Sequence, residues 1–453
     1  MNPRQSREAS GLFTDLYELT MAAGYFQNGF DARATFELFV RRLPRERNYL
    51  VAAGLEQALE FLENFSFSQS DVDFLRRQPV FRHVRQEFFD FLLRLRFTGD
   101  VWAIPEGSVV FADEPLVRVT APIIAGQLLE TRVLSSINFQ TMIASRAARI
   151  VSAAGGREVV EFGARRAHGS EAGIFAARAS WIAGCAGTSN VIAGEMFGIP
   201  AYGTQAHSWI MAFENESHAF ARFLDVFPER ATLLLDTYDA RAALRKIIAS
   251  GRKPAGVRLD SGDMAADSRW VRSQLDRAGW NDVQIFASGD LNEKKISELL
   301  RRGAKIDAFG VGSALVAPTD TPNLSTIYKL VELERGGKTR EAAKFSEAKA
   351  TYPGRKQVFR FADARGKWKA DTIALADETC AGGEPLLVPV MRNGKRIASP
   401  EPLETARERC AESLKRLPPR LLSLGHAQPY PVRHSKALRA LLQKVRRRIR
   451  SQS

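Results

Sequence analysis

The feature that most constrains this chain is a pattern repeated five times between residues 159 and 313. Each copy is a short apolar run, then a glycine or acid at its end, then a stretch of helical character. The runs are Val159-Val160-Glu161-Phe162-Gly163, Leu233-Leu234-Leu235-Asp236-Thr237, residues 255–263, residues 283–290 and residues 306–313. Helical spacing follows at 264–278 and 293–302. Apolar runs of this kind, alternating with helices, predict a parallel α/β sheet, closed as a barrel or left open. Both forms bind ligands where the carboxyl ends of the strands open into loops. The chemically interesting residues fall at those tips.

The rest of the chain frames that pattern. With 453 residues, 45% hydrophobic and 26% charged, the chain is too long for one ordinary core and has a typical soluble composition. We divide it into an α+β segment at 1–126, a parallel α/β segment at 127–345, a segment at 346–410 that returns to the first, and a tail at 411–453. Residues 35–40 alternate like a strand, and a long helix is predicted from about 127 to 154. No apolar run reaches the length of a membrane span, and the first residues lack the apolar core of a secretion signal. The cysteines, Cys185, Cys380 and Cys410, are too scattered for a disulfide framework or a zinc knuckle. The expected compartment is the cytoplasm.

A formal charge of +14 raises the question of nucleic acid. The tail carries 11 Lys/Arg against one Glu, leaving about +4 for the other 410 residues. The excess therefore belongs to the tail, where Leu438, Leu441, Leu442, Val445 and Ile449 are spaced as one helical face among Lys444, Arg446, Arg447, Arg448 and Arg450. A solvated or docking helix is the expectation, with neither a membrane nor nucleic acid as the main partner.

At the tips, Ser288-Gly289-Asp290 and Gly310-Val311-Gly312-Ser313 offer backbone N–H groups suited to phosphate. Asp236, Asp260, Asp263 and Asp290 place carboxylates along one rim. They suit magnesium or ribose hydroxyls, or else cap helices. Arg165, Arg166 and Arg258 supply forked donors for anions, and Arg258 interrupts an apolar run. His207 lies in Gly203-Thr204-Gln205-Ala206-His207-Ser208-Trp209, where small neighbours let a charged group approach the imidazole. These residues predict an α/β enzyme with a phosphate-containing substrate.

Taken together, Thr14-Asp15-Leu16-Tyr17, Glu161-Phe162-Gly163-Ala164-Arg165-Arg166, Gly187-Thr188-Ser189-Asn190, the His207 heptad, residues 257–263, Ser288-Gly289-Asp290, residues 309–313, Lys344-Phe345-Ser346 and Tyr352-Pro353-Gly354-Arg355-Lys356 resemble the nicotinate phosphoribosyltransferases. The resemblance runs from Gly11 to about Arg360. It implies an irregular parallel α/β barrel with an α+β N-terminal domain packed over the barrel mouth of a neighbouring subunit in a homodimer. It also implies ATP-coupled transfer of phosphoribose from 5-phosphoribosyl 1-pyrophosphate to nicotinate, with Mg2+. On this resemblance His207 is phosphorylated by ATP, and Tyr17 and Phe162 sandwich the pyridine ring. Ser189, Thr204, Ser208 and Arg258 surround the ring, and Asp260 holds the ribose hydroxyls. Gly289, Asp290, Gly312 and Ser313 take the 5′-phosphate. Arg165, Lys344 and Lys356 face pyrophosphate, and Asp263 stands near the metal.

The sister family that uses nicotinamide carries aspartate where this chain has Ser189. An aspartate would repel a carboxylate substrate, so nicotinate is expected. The rival readings are a nicotinamide enzyme and a non-catalytic module whose basic tail binds nucleic acid.

Overall fold

The five apolar runs become five strands of one parallel sheet, and a sixth, very short strand joins them. In chain order these are β1 (Glu158–Glu161), β2 (Gly187–Thr188), β3 (Thr232–Leu234), β4 (Gly256–Leu259), β5 (Gln284–Ala287) and β6 (Ala308–Val311). Their spatial order is β2-β1-β6-β5-β4-β3, every pairing parallel. All six carboxyl ends therefore face the same way, which collects the candidates at the strand tips on one rim. Val159, Val160, Leu233, Val257, Leu259, Ile285 and Phe309 are fully buried. A strand covered on both faces needs this continuous apolar character. The structure is a computed structural model and describes residues 10–345, 351–425 and 429–451; Ser346 and His426 lie outside the described residues.

Capping fixes where the following helices begin. Asp263 accepts the Ala266 N–H at 3.2 Å and opens Met264–Arg277. Asn292 accepts the Lys295 N–H at 2.9 Å and opens Glu293–Arg301. Asp290 is not the cap its sequence suggests: it takes a left-handed backbone, φ 41°, two residues before the helix turns in.

The chain divides into two compact units, Ile143–Pro322 and Met1–Met142 with Asn323–Ser453. The boundary expected near 127 thus moves into the helix Glu130–Ala153. Gln140 donates to the Gln57 side chain at 2.8 Å, and the Thr141 hydroxyl accepts the Ala53 N–H at 3.1 Å, so this half of the helix belongs with the N-terminal residues. The boundary expected at 345 moves back for a similar reason. Strand Thr326–Arg335 pairs antiparallel with Arg33–Val40, which also pairs with Pro115–Pro122. These are central strands of a seven-stranded sheet. The stacked Phe36 and Tyr328 rings, 4.9 Å apart, help hold that register.

The break expected at 410 falls inside the helix Leu403–Arg416. Beyond it, Val432–His434 pairs parallel with Trp368–Leu375. The last helix, Lys436–Arg450, is capped by Ser435 and buries Leu438, Leu442 and Val445. The last helix is thus a docked element of its unit: Arg448 pairs with Glu341 at 3.5 Å and the Arg446 guanidinium lies 5.3 Å from the Phe345 ring, while Lys444, Arg447 and Arg450 are exposed. No helix among the described residues is long and apolar enough to cross a membrane.

Candidate active site

On the carboxyl rim of the parallel sheet lies a cavity of about 380 Å³ lined by Phe162, Ala164, Arg165, Ser189, Gly203, Thr204, Gln205, Ala206, His207, Leu234, Arg258 and Asp260. Seven of these stood among the candidates from sequence: Phe162, Arg165, Ser189, Thr204, His207, Arg258 and Asp260. They are more than 90 residues apart at the extremes of the chain and meet because the strand tips converge.

Arg258 is the hub. Strand β4 buries Val257 and Leu259, so the alternating residue is left to extend toward the rim. Its Nε donates to Ser288 Oγ at 2.6 Å, and Nη1 donates to Thr204 Oγ1 at 2.8 Å and to the Gln205 carbonyl at 3.1 Å. Nη2 donates to Asp260 Oδ1 at 2.5 Å. A guanidinium has five N–H donors, so one stays free for a ligand. The planar fork stands 6.0 Å from the centroid of the Phe162 ring, making one corner of the cavity charged and aromatic.

Asp260 accepts from Arg258 and from the Ser288 hydroxyl. Burial opposes its ionisation, but the Ser288 hydroxyl and the Arg258 charge outweigh that and hold its carboxyl below the usual carboxylate range. Asp236 supports the same loop, accepting the Asp260 N–H at 3.0 Å and the Ser261 hydroxyl. Gly289 is required here: its φ is 87°, and a Cβ would meet the Asp260 carbonyl oxygen at 1.9 Å. Gly310 is required for another reason, since the Phe162 ring occupies the place of a Cβ, 2.6 Å away. These two glycines let the Ser288-Gly289-Asp290 and Gly310–Ser313 turns close onto the cavity wall.

His207 opens the short helix His207–Met211. Its Nδ1 lies 3.2 Å from Thr237 Oγ1, and its Nε2 lies 3.9 Å from Asp260 Oδ2. The side chain is 43% exposed, so the ring is open to solvent and to a ligand. Glu161 ties two walls of the cavity together. It accepts the Gly163 N–H and, at 2.5 Å, the Thr188 hydroxyl, while its carbonyl accepts the Ser189 N–H at 2.9 Å. Burial pushes its carboxyl up, against the pull of those donors. Arg165, in the turn Ala164–Arg166, is exposed and has no ion pair or hydrogen bond among the described residues.

Several expected residues are placed otherwise. Lys356 is buried, and its ammonium pairs with Glu37 at 2.7 Å and donates to the Tyr352 and Gly354 carbonyls at 2.8 Å each. With all three N–H groups spent, it is a structural cation and leaves no donor for pyrophosphate. Asp263 is a helix cap whose two oxygens accept from Arg302 at 2.9 and 2.7 Å, and it does not line the cavity. Ser208 is exposed and does not line the cavity. Thr204 lines it but spends its oxygen on Arg258. Tyr17 belongs to the other unit; it is 47% exposed, and its phenol is hydrogen-bonded to Glu130. Burial, reinforced by Glu130 and Glu18, pushes that phenol up, so it stays neutral. Lys344 is exposed in the same unit.

Among the described residues no group of three His, Cys, Asp or Glu side chains could hold a metal alone. Magnesium commonly leans on one or two carboxylates and takes its remaining ligands from waters and substrate phosphates. Asp236 and Asp260 are donors of that class, and Asp236 Oδ1 is buried without a hydrogen-bond partner among the described residues. Sequence reasoning missed Thr237 and Gln205 as contributors, and took Ser288 for its backbone N–H rather than for the hydroxyl that meets Arg258 and Asp260. For Thr237 the available signal was its place directly after Asp236 at a strand tip.

Comparison with known proteins identifies the family. Residues 12–138 match the N-terminal domain model of nicotinate phosphoribosyltransferase, residues 158–369 the family model and residues 381–442 the C-terminal domain model. The chain is 46% identical over 436 residues to a nicotinate phosphoribosyltransferase of Mycobacterium tuberculosis, covering 94% of this chain and 92% of that one. It is 42% identical to the Bacillus subtilis nicotinate phosphoribosyltransferase, over 82% of this chain and 77% of that one. Its fold superposes on the crystal structure of human nicotinic acid phosphoribosyltransferase with a TM-score of 0.83 at 28% identity, covering 95% of this chain and 99% of the human one. The chain belongs to the nicotinate phosphoribosyltransferase family.

Proposed function

We propose that the chain makes nicotinate mononucleotide and pyrophosphate from nicotinate and 5-phosphoribosyl 1-pyrophosphate, coupled to ATP, as a step of NAD salvage. The observation that carries this reading is the convergence of Arg258, Asp260, His207 and the Phe162 ring on one cavity. The ring nitrogen of nicotinate attacks the anomeric carbon as the bond to pyrophosphate breaks. Positive charge grows on the sugar and negative charge on the leaving group. Phe162 presents a flat face to the pyridine, and the free N–H of Arg258 takes its carboxylate. Asp260, held ionised, accepts from the ribose hydroxyls and faces the developing positive charge. The turns at Gly289-Asp290 and Gly312-Ser313 hold the 5′-phosphate, and Arg165, with its guanidinium unspent, meets pyrophosphate. Magnesium held by Asp236 and Asp260 would supply further positive charge against the diphosphate. Fixing the nitrogen against the carbon supplies much of the remaining rate. His207 accepts a phosphoryl group from ATP, the step that couples the two reactions.

Ser189 in place of an acid supports nicotinate over nicotinamide. The same reading includes an irregular barrel, a cytoplasmic setting and a homodimer in which Tyr17 of a second copy covers the ring. The exposed Phe13, Leu16 and Tyr17, and the exposed Val191, Ile192 and Met196 beyond Ser189, are apolar faces suited to such an assembly. The test is nicotinate mononucleotide formation from the purified chain, with and without ATP, nicotinate and nicotinamide being compared side by side. Product from nicotinate, increased by ATP, is expected; preference for nicotinamide overturns the substrate assignment, and no product from either overturns the reaction.

A further inference from the structure

We propose that the polar face of the seven-stranded antiparallel sheet carries a second anion site, built around Arg118, that takes a single phosphate group. It lies in the Met1–Met142/Asn323–Ser453 unit and does not depend on the reaction proposed above.

The register of the sheet assembles the site. Strands Arg33–Val40, Pro115–Pro122 and Asp100–Ala103 lie side by side, with Arg118 opposite Glu37 on one flank and Trp102 on the other. In the next row Glu332, Thr35, Thr120 and Asp100 stand opposite one another in turn. Side chains alternate across a strand, so the opposite face goes to Ala34, Phe36, Leu38, Val117 and Val119, all buried. The polar face holds a cavity of about 150 Å³. Four arginines line it (Arg33, Arg118, Arg355 and Arg392) with three acids, Asp100, Glu332 and Glu334.

Three of those arginines have a carboxylate. Arg33 and Arg392 share Asp100, at 3.0 and 3.5 Å, and Arg355 pairs with Glu332 at 3.0 Å. Arg118 has no ion pair among the described residues. Glu37, its neighbour in register, is taken by the Lys356 ammonium at 2.7 Å. Arg118 is only 6% exposed, yet of its five N–H groups one is spent, on the Lys356 carbonyl at 2.7 Å. Burial pulls its pKa down, and the charges of Arg355 and Arg392 add to that against Glu37 and Glu332. A guanidinium nevertheless stays charged. The result is a buried positive charge with spare donors and no counter-ion of its own, an arrangement that costs free energy until an anion completes it.

The surroundings select the anion. The Arg118 and Arg392 guanidiniums lie 4.9 and 5.4 Å from the centroid of the Trp102 ring, so one ring gathers two like charges at the cavity wall. Planar forks of this kind match the oxygens of a phosphate. The three acids disfavour a highly charged polyanion, and the volume suits one oxoanion rather than a nucleotide. The phosphate can come as the free ion or as the end of a small ester.

The experiment titrates the full-length chain calorimetrically with inorganic phosphate and, separately, with glycerol 3-phosphate, at an ionic strength held constant with potassium chloride. Binding in the active-site cavity is common to wild type and variants, so the difference between them reads this site. Arg118→Gln is expected to weaken its phosphate affinity roughly tenfold to a hundredfold, the worth of a charge-assisted hydrogen bond. A smaller fall is expected in Arg392→Gln, whose exposed side chain leaves folding intact. Crystals soaked in phosphate should hold the ion against Arg118. Tighter binding of the free ion or of the ester names the source, and either supports the site. Unchanged affinity in both variants overturns the proposal, as does unchanged affinity in Arg392→Gln alone should Arg118→Gln fail to fold. Soaked crystals with no ion at Arg118 overturn it too. In phosphate-free buffer Arg392→Gln should keep the wild-type kcat/KM for nicotinate; a fall parallel to the lost affinity assigns the phosphate to the active site instead and contradicts a second site.

Discussion

Two arginine–aspartate pairs in this molecule share a chemistry and differ in what surrounds them. In the Met1–Met142/Asn323–Ser453 unit, Arg360 and Asp371 meet through three contacts, of 2.6, 3.0 and 3.1 Å, with side chains 2% and 0% exposed. The groups around them are shut away from solvent. Arg360 Nη1 donates to the Val109 carbonyl at 2.7 Å, the Tyr430 hydroxyl donates to Asp371 at 2.9 Å, and the guanidinium lies 5.5 and 5.3 Å from the Phe111 and Trp368 rings. Glu114 joins the cluster, its carboxyl pushed well up by burial and by the Asp371 charge. In the parallel-sheet unit, Arg258 and Asp260 are 13% and 26% exposed, and both keep groups uncommitted on the cavity side. Pairing therefore does not itself mark a site. A closed pair locks packing; an open one, with a spare donor and a spare acceptor, can exchange its partners for a substrate.

That contrast predicts opposite consequences for similar substitutions. Asp371→Ala strands the Arg360 charge in the core and is expected to cost about 3–5 kcal/mol of stability. A lower denaturation midpoint should appear, with little change in activity per folded molecule. Arg258→Ala reverses the pattern. The kcat/KM for nicotinate is expected to fall by about a hundredfold to a thousandfold, while the midpoint moves little; equal loss of stability in both variants would dissolve the distinction. Ser189→Asp keeps the fold and is expected to lower nicotinate kcat/KM by roughly tenfold to a hundredfold through like-charge repulsion. Steady-state kinetics on the two pyridines would show it, and unchanged nicotinate kinetics would remove the specificity argument.

The smallest expected effect is a pH dependence in the closed region. His434 stacks on Tyr352 with centroids 3.9 Å apart, and burial, with the charges of Lys356 and Arg439, holds its pKa down to about 4 from 6.5. Between those values the unfolded chain binds a proton that the folded chain refuses. Stability should therefore fall as pH drops from 6.5 toward about 4 and level off below it. His434→Phe, which keeps the stack, should flatten part of that slope in thermal melts; an identical slope would assign it to other groups.

The parts of this structure readable from sequence are those written locally. Five strand runs and their tips carry their own periodicity, and Arg258 announced itself by interrupting one of them. Asp236 and Asp260 likewise stood at legible tips. Long-range partners were not legible. Lys356, in a basic turn, reads as a solvent-facing phosphate ligand until Glu37, 319 positions away, is found beside it. Asp263 needed Arg302, 39 positions on, to show its carboxylate spent. The domain boundaries shifted because Thr326–Arg335 chose a strand at Arg33–Val40 as its neighbour. Thr237 was missed because a hydroxyl next to an acid gives no sign of which way it points.

The most direct test is a crystal structure with nicotinate mononucleotide bound. The account predicts the pyridine ring on Phe162, its carboxylate within hydrogen-bond reach of Arg258, and the phosphate against the Gly289 and Gly312 turns. A nucleotide bound away from this cavity, or seated with its phosphate on Arg258 and its ring toward those turns, would contradict it.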